Sequence, residues 1–326
     1  MSVFAPKNTA LITGAASGIG LAIAQLCRSH GMNLALVDIN TAALAEAKKS
    51  FTSSAPNPTL TTSTTTSSST TEEPRPITEA YTMDVSQLEQ WQDLQTKVAS
   101  TFGGIDLLVL NAGTTARGSW GDSEYFSKIL STNLMGPLHG LNTLLPLVRA
   151  RSTSTSTATA AATVAAPKKE DEKPTAVVLT GSKQGITNPP GNAAYNASKS
   201  ALKTLAEHLS WDLRDTGTAV HLLVPGWTHT GMTSSSSSSS SPAPKPPGAW
   251  TPAQVASYMV TKMAAGKFYI LCPDNDVDEV TDKKRMLWSV GDAVHGRPPL
   301  SRWRGEWKDR AAEWMAQVDG ERLADW

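Results

Sequence analysis

The chain has 326 residues, with 29 basic and 29 acidic side chains and a formal net charge of +0. That balance gives no electrostatic footprint for a nucleic acid or another polyanion. Neither the N-terminal Met-Ser-Val-Phe-Ala-Pro-Lys nor any later stretch has the apolar run of a signal peptide or a membrane span, so a soluble, cytoplasmic protein is expected.

Residues 9–13 form a short apolar run that suits a buried strand and ends at Gly14. Gly14-Ala-Ala-Ser17-Gly18-Ile19-Gly20 follows, then a segment of helical character over 21–30 that stops at Gly31. Residues 33–37 read as a second strand ending at Asp38. Strand, glycine turn, helix, strand and acid is the pattern of a dinucleotide site. The glycines let the backbone approach a pyrophosphate, and the helix N-terminus offers unpaired N–H groups and the positive end of its dipole. Asp38, about 20 residues on, is placed to accept hydrogen bonds from the ribose hydroxyls. A carboxylate there repels a 2′-phosphate, and neither Ala15–Ser17 nor Ile39–Asn40 offers a cation for one, so NAD(H) is expected over NADP(H). Cys27, on the first helix, and the distant Cys272 lack ligand spacing and read as buried free thiols.

A helix at about 41–50 runs into a Ser/Thr/Pro-rich tract, 52–76, too polar to form a packed element. A strand over 80–85 then sets Asp84 and Val85 beside an adenine; Asp84 equally suits the N-cap region of the next helix, 86–101. Residues 104–110 are a further strand, running into Asn111-Ala112-Gly113, where small residues at a strand end suit close passage of a ligand. A long helix over 123–150 carries Asn133, Gly136 and a kink at Pro146. A second low-complexity tract fills 151–173, and a strand over 175–180 leads to Ser182. The helix from Ala193 to about Asp215 carries Tyr195 and Lys199 one turn apart, and an ammonium beside a phenol is expected to lower the phenol's pKa. A strand over 218–224 ends at Pro225-Gly226-Trp227-Thr228-His229-Thr230. A serine run and prolines fill 233–248, followed by a helix over 251–265, a strand over 268–271 and helices over 276–289 and 303–317. Trp288, Trp303, Trp307, Trp314 and Trp326 bias this C-terminal extension, from about residue 273, toward packing against the core or a second subunit.

In order along the chain, Thr13-Gly14-x-x-x-Gly18-Ile19-Gly20, Asn111-Ala112-Gly113, Asn133, Ser182, Tyr195-x-x-x-Lys199 and Pro225-Gly226 resemble the short-chain dehydrogenase/reductases. The resemblance implies a single α/β domain, a doubly wound Rossmann-type parallel sheet of seven strands in order 3-2-1-4-5-6-7 with helices on both faces. It implies Tyr195 as acid/base on a substrate oxygen, Ser182 bonded to that oxygen, Lys199 on the phenol and the nicotinamide ribose, and Asn133 anchoring a water beside Lys199. Gly14, Ser17, Gly18, Ile19, Gly20, Asp38, Asp84, Val85, Asn111, Ala112, Gly113, Tyr195, Lys199, Pro225, Gly226, Thr228 and Thr230 would hold the cofactor. It makes the 233–248 tract a mobile substrate lid, and the tracts at 52–76 and 151–173 insertions away from the site. The expected activity is NAD(H)-dependent interconversion of a secondary alcohol and a ketone. The substrate is expected to be apolar or aromatic, met by 114–120, 184–192 and Trp227, in a homodimer or homotetramer built on the helices at 123–150 and 193–215. A cyclase or isomerase using the cofactor as scaffold, and an NAD(H)-sensing protein, are the alternatives.

Overall fold

In the computed structural model, residues 2–53, 75–152, 173–231 and 244–320 are described. The serine run, most of the other two polar tracts and Trp326 lie outside the described residues, and so does the expectation of a mobile lid.

Seven parallel strands form one sheet: β1 (Thr9–Thr13), β2 (Asn33–Asp38), β3 (Thr78–Thr82), β4 (Leu107–Leu110), β5 (Thr175–Thr180), β6 (Thr218–Val224) and β7 (Tyr269–Leu271). Their spatial order is β3-β2-β1-β4-β5-β6-β7, as expected. β1, β4 and β5 are buried along their whole length, which explains their near-continuous apolar sequences. The pleat divides each of them between two cores. Ala10, Ile12, Leu107, Val109, Ala176 and Val178 face one layer; Leu11, Leu108, Leu110, Val177 and Leu179 face the other. The first layer is closed by α1 (Gly18–Ser29), α2 (Thr41–Ser53) and α8 (Pro252–Ala264), through Ile23, Leu44, Val255 and Met259. The second is closed by α3 (Leu88–Phe102), α5 (Gly136–Ser152) and α7 (Ala193–Asp212), through Trp91, Leu144 and Leu202. Each strand feeds the next parallel strand by a helical crossover, and the direction of winding reverses between β1 and β4. Such a reversal opens a crevice at the strands' C-terminal ends.

Three local features depart from the sequence expectation. The long helix at 123–150 is α4 (Ser123–Leu130), a π-helical turn over Ser131–Met135 and α5; the Gly136 N–H bonds Ser131 O across that turn. Asn133 sits in the π turn and is fully buried, where an ordinary helical Asn would be solvated. β3 ends at Thr82, so Asp84 and Val85 lie beyond the strand, and the N-cap of α3 is Gln87. Asp84 instead accepts a hydrogen bond from Ser86 N at 2.9 Å, a local turn that ends the β3 connection. A five-residue helix, α6 (Lys183–Thr187), follows Ser182 and is too short for periodicity to reveal. After the sheet come α9 (Glu279–Val294), a 3₁₀ turn over Ser301–Trp303 and α10 (Gly305–Gln317). Cys27 and Cys272 are buried and free, as expected. Among the described residues, no helix is long and apolar enough to cross a membrane.

Candidate active site

A cleft of about 940 Å³ opens at the C-terminal ends of the strands and is lined from Gly14, Asp38, Asn111, Ser182 and Pro225. Its floor at β1 is the glycine turn. Gly14 and Gly18 have φ of +66° and +54°, the left-handed region that glycine tolerates, and a Cβ on Gly20 would lie 2.1 Å from Gly14 O. The turn therefore brings α1 hard against the end of β1. Ser17 is the N-cap of α1 but makes no side-chain capping bond, so its hydroxyl and the first-turn N–H groups remain for a ligand. Thr13 Oγ1 accepts from Asn111 N and Ala112 N at 2.9 and 3.0 Å, and Asn111 Nδ2 donates to Thr13 O at 3.1 Å. These bonds join the ends of β1 and β4. Asp38, at the end of β2, accepts from Ala16 N through Oδ2 (3.0 Å) and from Asn40 N through Oδ1 (2.9 Å). A carboxylate has about four acceptor sites, so both oxygens retain capacity for a diol.

The other part of the cleft is built by α6 and α7. Ser182 Oγ caps α6, accepting from Gln184 N at 3.2 Å, and is in hydrogen-bond contact with the Tyr195 phenol. Tyr195 begins the first turns of α7, whose N-cap Asn192 accepts from Tyr195 N at 3.4 Å. Asn192 is itself held by the Tyr125 hydroxyl at 2.6 Å, so α4 fixes the start of α7. Lys199 lies one turn further, 4 % exposed, donating to Thr180 O at 2.8 Å with its Nζ 5.8 Å from the centre of the Tyr195 ring. Burial pushes the Lys199 ammonium down to about 8. Burial also raises the Tyr195 phenol above its ordinary value, and the Ser182 hydrogen bond offsets this only in part. The expected lowering of the phenol is therefore reversed in this arrangement. The lysine is committed to Thr180, and desolvation outweighs its attraction for a phenolate.

Asn133 does not line the cleft. Its side chain clamps the next backbone segment, accepting from Thr114 N at 2.7 Å and donating to Thr114 O at 2.9 Å, with Ser198 Oγ at 3.3 Å. A Cβ on Gly113 would lie 3.3 Å from Asn133 Oδ1 and 3.6 Å from Lys199 Nζ, so both groups approach the same glycine. Gly20 also lies behind the cleft surface. The remaining residues expected at a site all line it: Ser17, Gly18, Ile19, Asp84, Val85, Ala112, Gly113, Gly226, Thr228 and Thr230 among them. Thr230 covers the turn, its Cγ2 within 3.3 Å of where a Gly18 Cβ would be.

Of the expected substrate contacts, Thr114, Gln184 and Trp227 line the cleft, and the other residues of 114–120 and 184–192 do not. Lys128, Ser131 and Thr132 line it without having been anticipated. They lie at the end of α4 and on the π turn, and no sequence signal marks that turn. Among the described residues, the tail tryptophans do not line the cleft: Trp288 is buried and packs on Trp314 with ring centres 5.5 Å apart. Among the described residues no cluster of three potential metal ligands occurs.

The cleft thus joins a glycine turn at a helix N-terminus to a hydroxyl, a phenol and an ammonium. The family model for short chain dehydrogenases matches residues 8–241, and the chain belongs to that family of oxidoreductases. A diacetyl reductase [(S)-acetoin forming] from Staphylococcus epidermidis is 27% identical over 230 residues, covering 69% of this chain and 73% of the relative. Among solved structures, a short chain dehydrogenase/reductase from Burkholderia phymatum in complex with NAD superposes with a TM-score of 0.70 at 24% identity, covering 92% of this chain and 98% of that one. An alcohol dehydrogenase from Thermococcus sibiricus complexed with 5-hydroxy-NADP superposes with a TM-score of 0.59 at 21% identity, covering 79% and 90%.

Proposed function

We propose that the protein is an NAD(H)-dependent oxidoreductase that interconverts a secondary alcohol and a ketone, with Tyr195 as the general acid/base. The observation that carries the reading is the Ser182–Tyr195 hydroxyl pair, which opens into the same cleft as the glycine turn and Asp38. The nicotinamide, when bound, gives or takes the hydride. Toward the alcohol, Tyr195 gives its proton to the carbonyl oxygen, and the raised phenol pKa keeps that proton in place until charge develops on the oxygen. Ser182 donates a hydrogen bond to the same oxygen. Toward the ketone, Tyr195 reacts as the phenolate, which the nearby Lys199 ammonium favours, and takes the hydroxyl proton to become a phenol. Asn133 Oδ1 keeps one lone pair near that ammonium, where a water passing the proton onward would be anchored.

Asp38 would bind the ribose diol of NAD(H) and repel the 2′-phosphate of NADP(H). Similar structures are known with cofactors of both kinds, so the preference rests on this residue. Trp227 at the cleft, and the neutralisation of Lys183 by carboxylates, favour an uncharged, apolar or aromatic carbonyl compound. The diacetyl reductase relative supports ketone chemistry.

The test is NADH and NADPH titration by fluorescence, then turnover against a panel of ketones and alcohols. Tyr195→Phe should lower kcat for the best substrate by about 100-fold or more while the protein still binds NADH; activity within a few-fold of the parent would overturn the mechanism. Asp38→Ala should narrow the affinity gap between the cofactors by about tenfold, and tighter binding of NADPH by the parent would refute the role given to Asp38.

A further inference from the structure

The helices beyond the sheet reach the cleft through one ammonium. Lys183, the residue after Ser182, lines the cleft, and its Nζ lies 3.1 Å from Asp274 Oδ2 and 2.7 Å from Asp282 Oδ2. Asp274 Oδ2 also accepts from Trp227 N at 3.1 Å, and its Oδ1 accepts from Asp276 N and Val277 N at 3.1 and 2.9 Å. One carboxylate thus holds the backbone of Trp227 and the loop that enters α9. Asp282 lies on α9, is fully buried, and has Arg285 Nη1 at 3.4 Å as its other ionic partner. The arm of Lys183 passes close under the Pro225-Gly226 turn: a Cβ on Gly226 would lie 2.9 Å from Lys183 Cε and 2.8 Å from Asp274 Oδ2.

Two carboxylates and one ammonium in a desolvated space are a costly way to glue helices together, since apolar residues of similar volume do so as well. What apolar packing lacks is direction. Asp274 hydrogen-bonds the Lys183 ammonium and Asp282 pairs with it as an ion, so the position of Lys183 is set from two sides. The backbone of Lys183 is continuous with Ser182, and the carboxylate it meets also carries Trp227.

We propose that Lys183 is a positioning residue, which through Asp274 and Asp282 locks the Ser182 segment and the Trp227 backbone to α9. The geometry at the substrate end of the cleft is then set by a helix outside the seven-stranded sheet. This rests on the reading of Ser182 as a substrate contact.

The test uses the full-length chain and two variants, Lys183→Met and Asp282→Asn. Asp282→Asn keeps the Lys183–Asp274 bond, so it carries the experiment if Lys183→Met does not fold. Hydrogen exchange measured by mass spectrometry should rise about tenfold over 183–187 and 226–228 in either variant, with β1 and α1 unchanged. For the best ketone, kcat should fall about tenfold while the Kd for NADH stays within twofold of the parent. A lower melting temperature with unchanged exchange over 183–187 and 226–228 and unchanged kcat would overturn the proposal, leaving only glue. A loss of NADH affinity that matches the loss in kcat would overturn it too, by moving the effect to the cofactor. If the parent turns over no carbonyl or alcohol while exchange responds as expected, the oxidoreductase reading fails and the clamp stands.

Discussion

Lys199 is the side chain whose chemistry the fold alters most. In the sequence it is an ammonium one turn from a phenol, and the obvious inference is that it lowers the phenol's pKa. Burial reverses the order of effects, because both groups lose water before either gains a charged partner: the lysine falls to about 8 and the phenol rises. Nothing in the spacing of Tyr195 and Lys199 reveals that Thr180 O is the ammonium's hydrogen-bond partner. The displacement has a consequence for stability. Between pH 8 and 10.5 the unfolded chain holds this proton and the folded chain has lost it, so stability contributed here rises with pH across that window. Below pH 8 the buried charge destabilises the fold in full. The drop from 10.5 to about 8 corresponds to about 3 kcal/mol. Lys199→Met removes the titration. Urea unfolding of parent and variant at pH 7.5 and about 9.5 should show the parent gaining about 1–2 kcal/mol relative to Lys199→Met. A gap independent of pH would show that Lys199 is not desolvated as described.

At the scale of elements, the strands and long helices were legible and the short ones were not. β1, β2, β5 and β6 lie where their apolar runs place them, because a parallel strand buried on both faces has little choice of composition. α6 escaped because five residues make barely more than a turn, and the π turn escaped because Ser-Thr-Asn-Leu-Met reads like any helical segment. Yet both elements border the cleft: Ser182 caps the first, and Ser131 and Thr132 of the second line it. The contact of α6 with α7 depends on Gly185, where a Cβ would lie 2.8 Å from the Lys199 carbonyl carbon and Cβ. Those atoms belong to a helix that packs on the sheet, so they cannot yield without moving Lys199. Gly185→Ala should therefore cost about 1–3 kcal/mol in denaturant unfolding. It should also lower kcat for the best ketone by about tenfold, through displaced Lys199 or Ser182. A variant as stable and active as the parent would mean that α6 slides freely over α7.

For the whole molecule, the sheet order followed from the family resemblance, whereas the attachment of the C-terminal helices had no sequence marker. The pairing of Lys183 with Asp282 spans 99 positions, and no local pattern announces such a contact. The tail's tryptophans did suggest packing, and the structure shows what organises it. Asp292 of α9 accepts from Ser301 N (3.0 Å), Ser301 Oγ (2.6 Å) and Arg297 Nε (3.0 Å), and Ser301 Oγ in turn accepts from Trp288 Nε1 at 2.8 Å. The Arg297 guanidinium lies 3.8 Å from the centre of the Trp288 ring. This one carboxylate orders the turn between α9 and α10. Burial pushes the Asp292 carboxyl up, but the Ser301 hydrogen bonds and the Arg297 charge outweigh it, leaving the pKa below the ordinary carboxylate value. A depressed carboxyl stabilises the fold above its unfolded pKa of about 3.9 and loses that contribution as pH falls through its folded value. Asp292→Asn should then lose about 1–3 kcal/mol at pH 7, because Ser301 and Arg297 keep donors that an amide satisfies poorly. The deficit should shrink at an acid pH below about 3.9, where the carboxyl protonates first in the unfolded parent and then in the folded one. Urea midpoints at the two pH values measure both effects. An equal deficit at both would assign Asp292 a steric role and remove the carboxylate as the organiser of the tail.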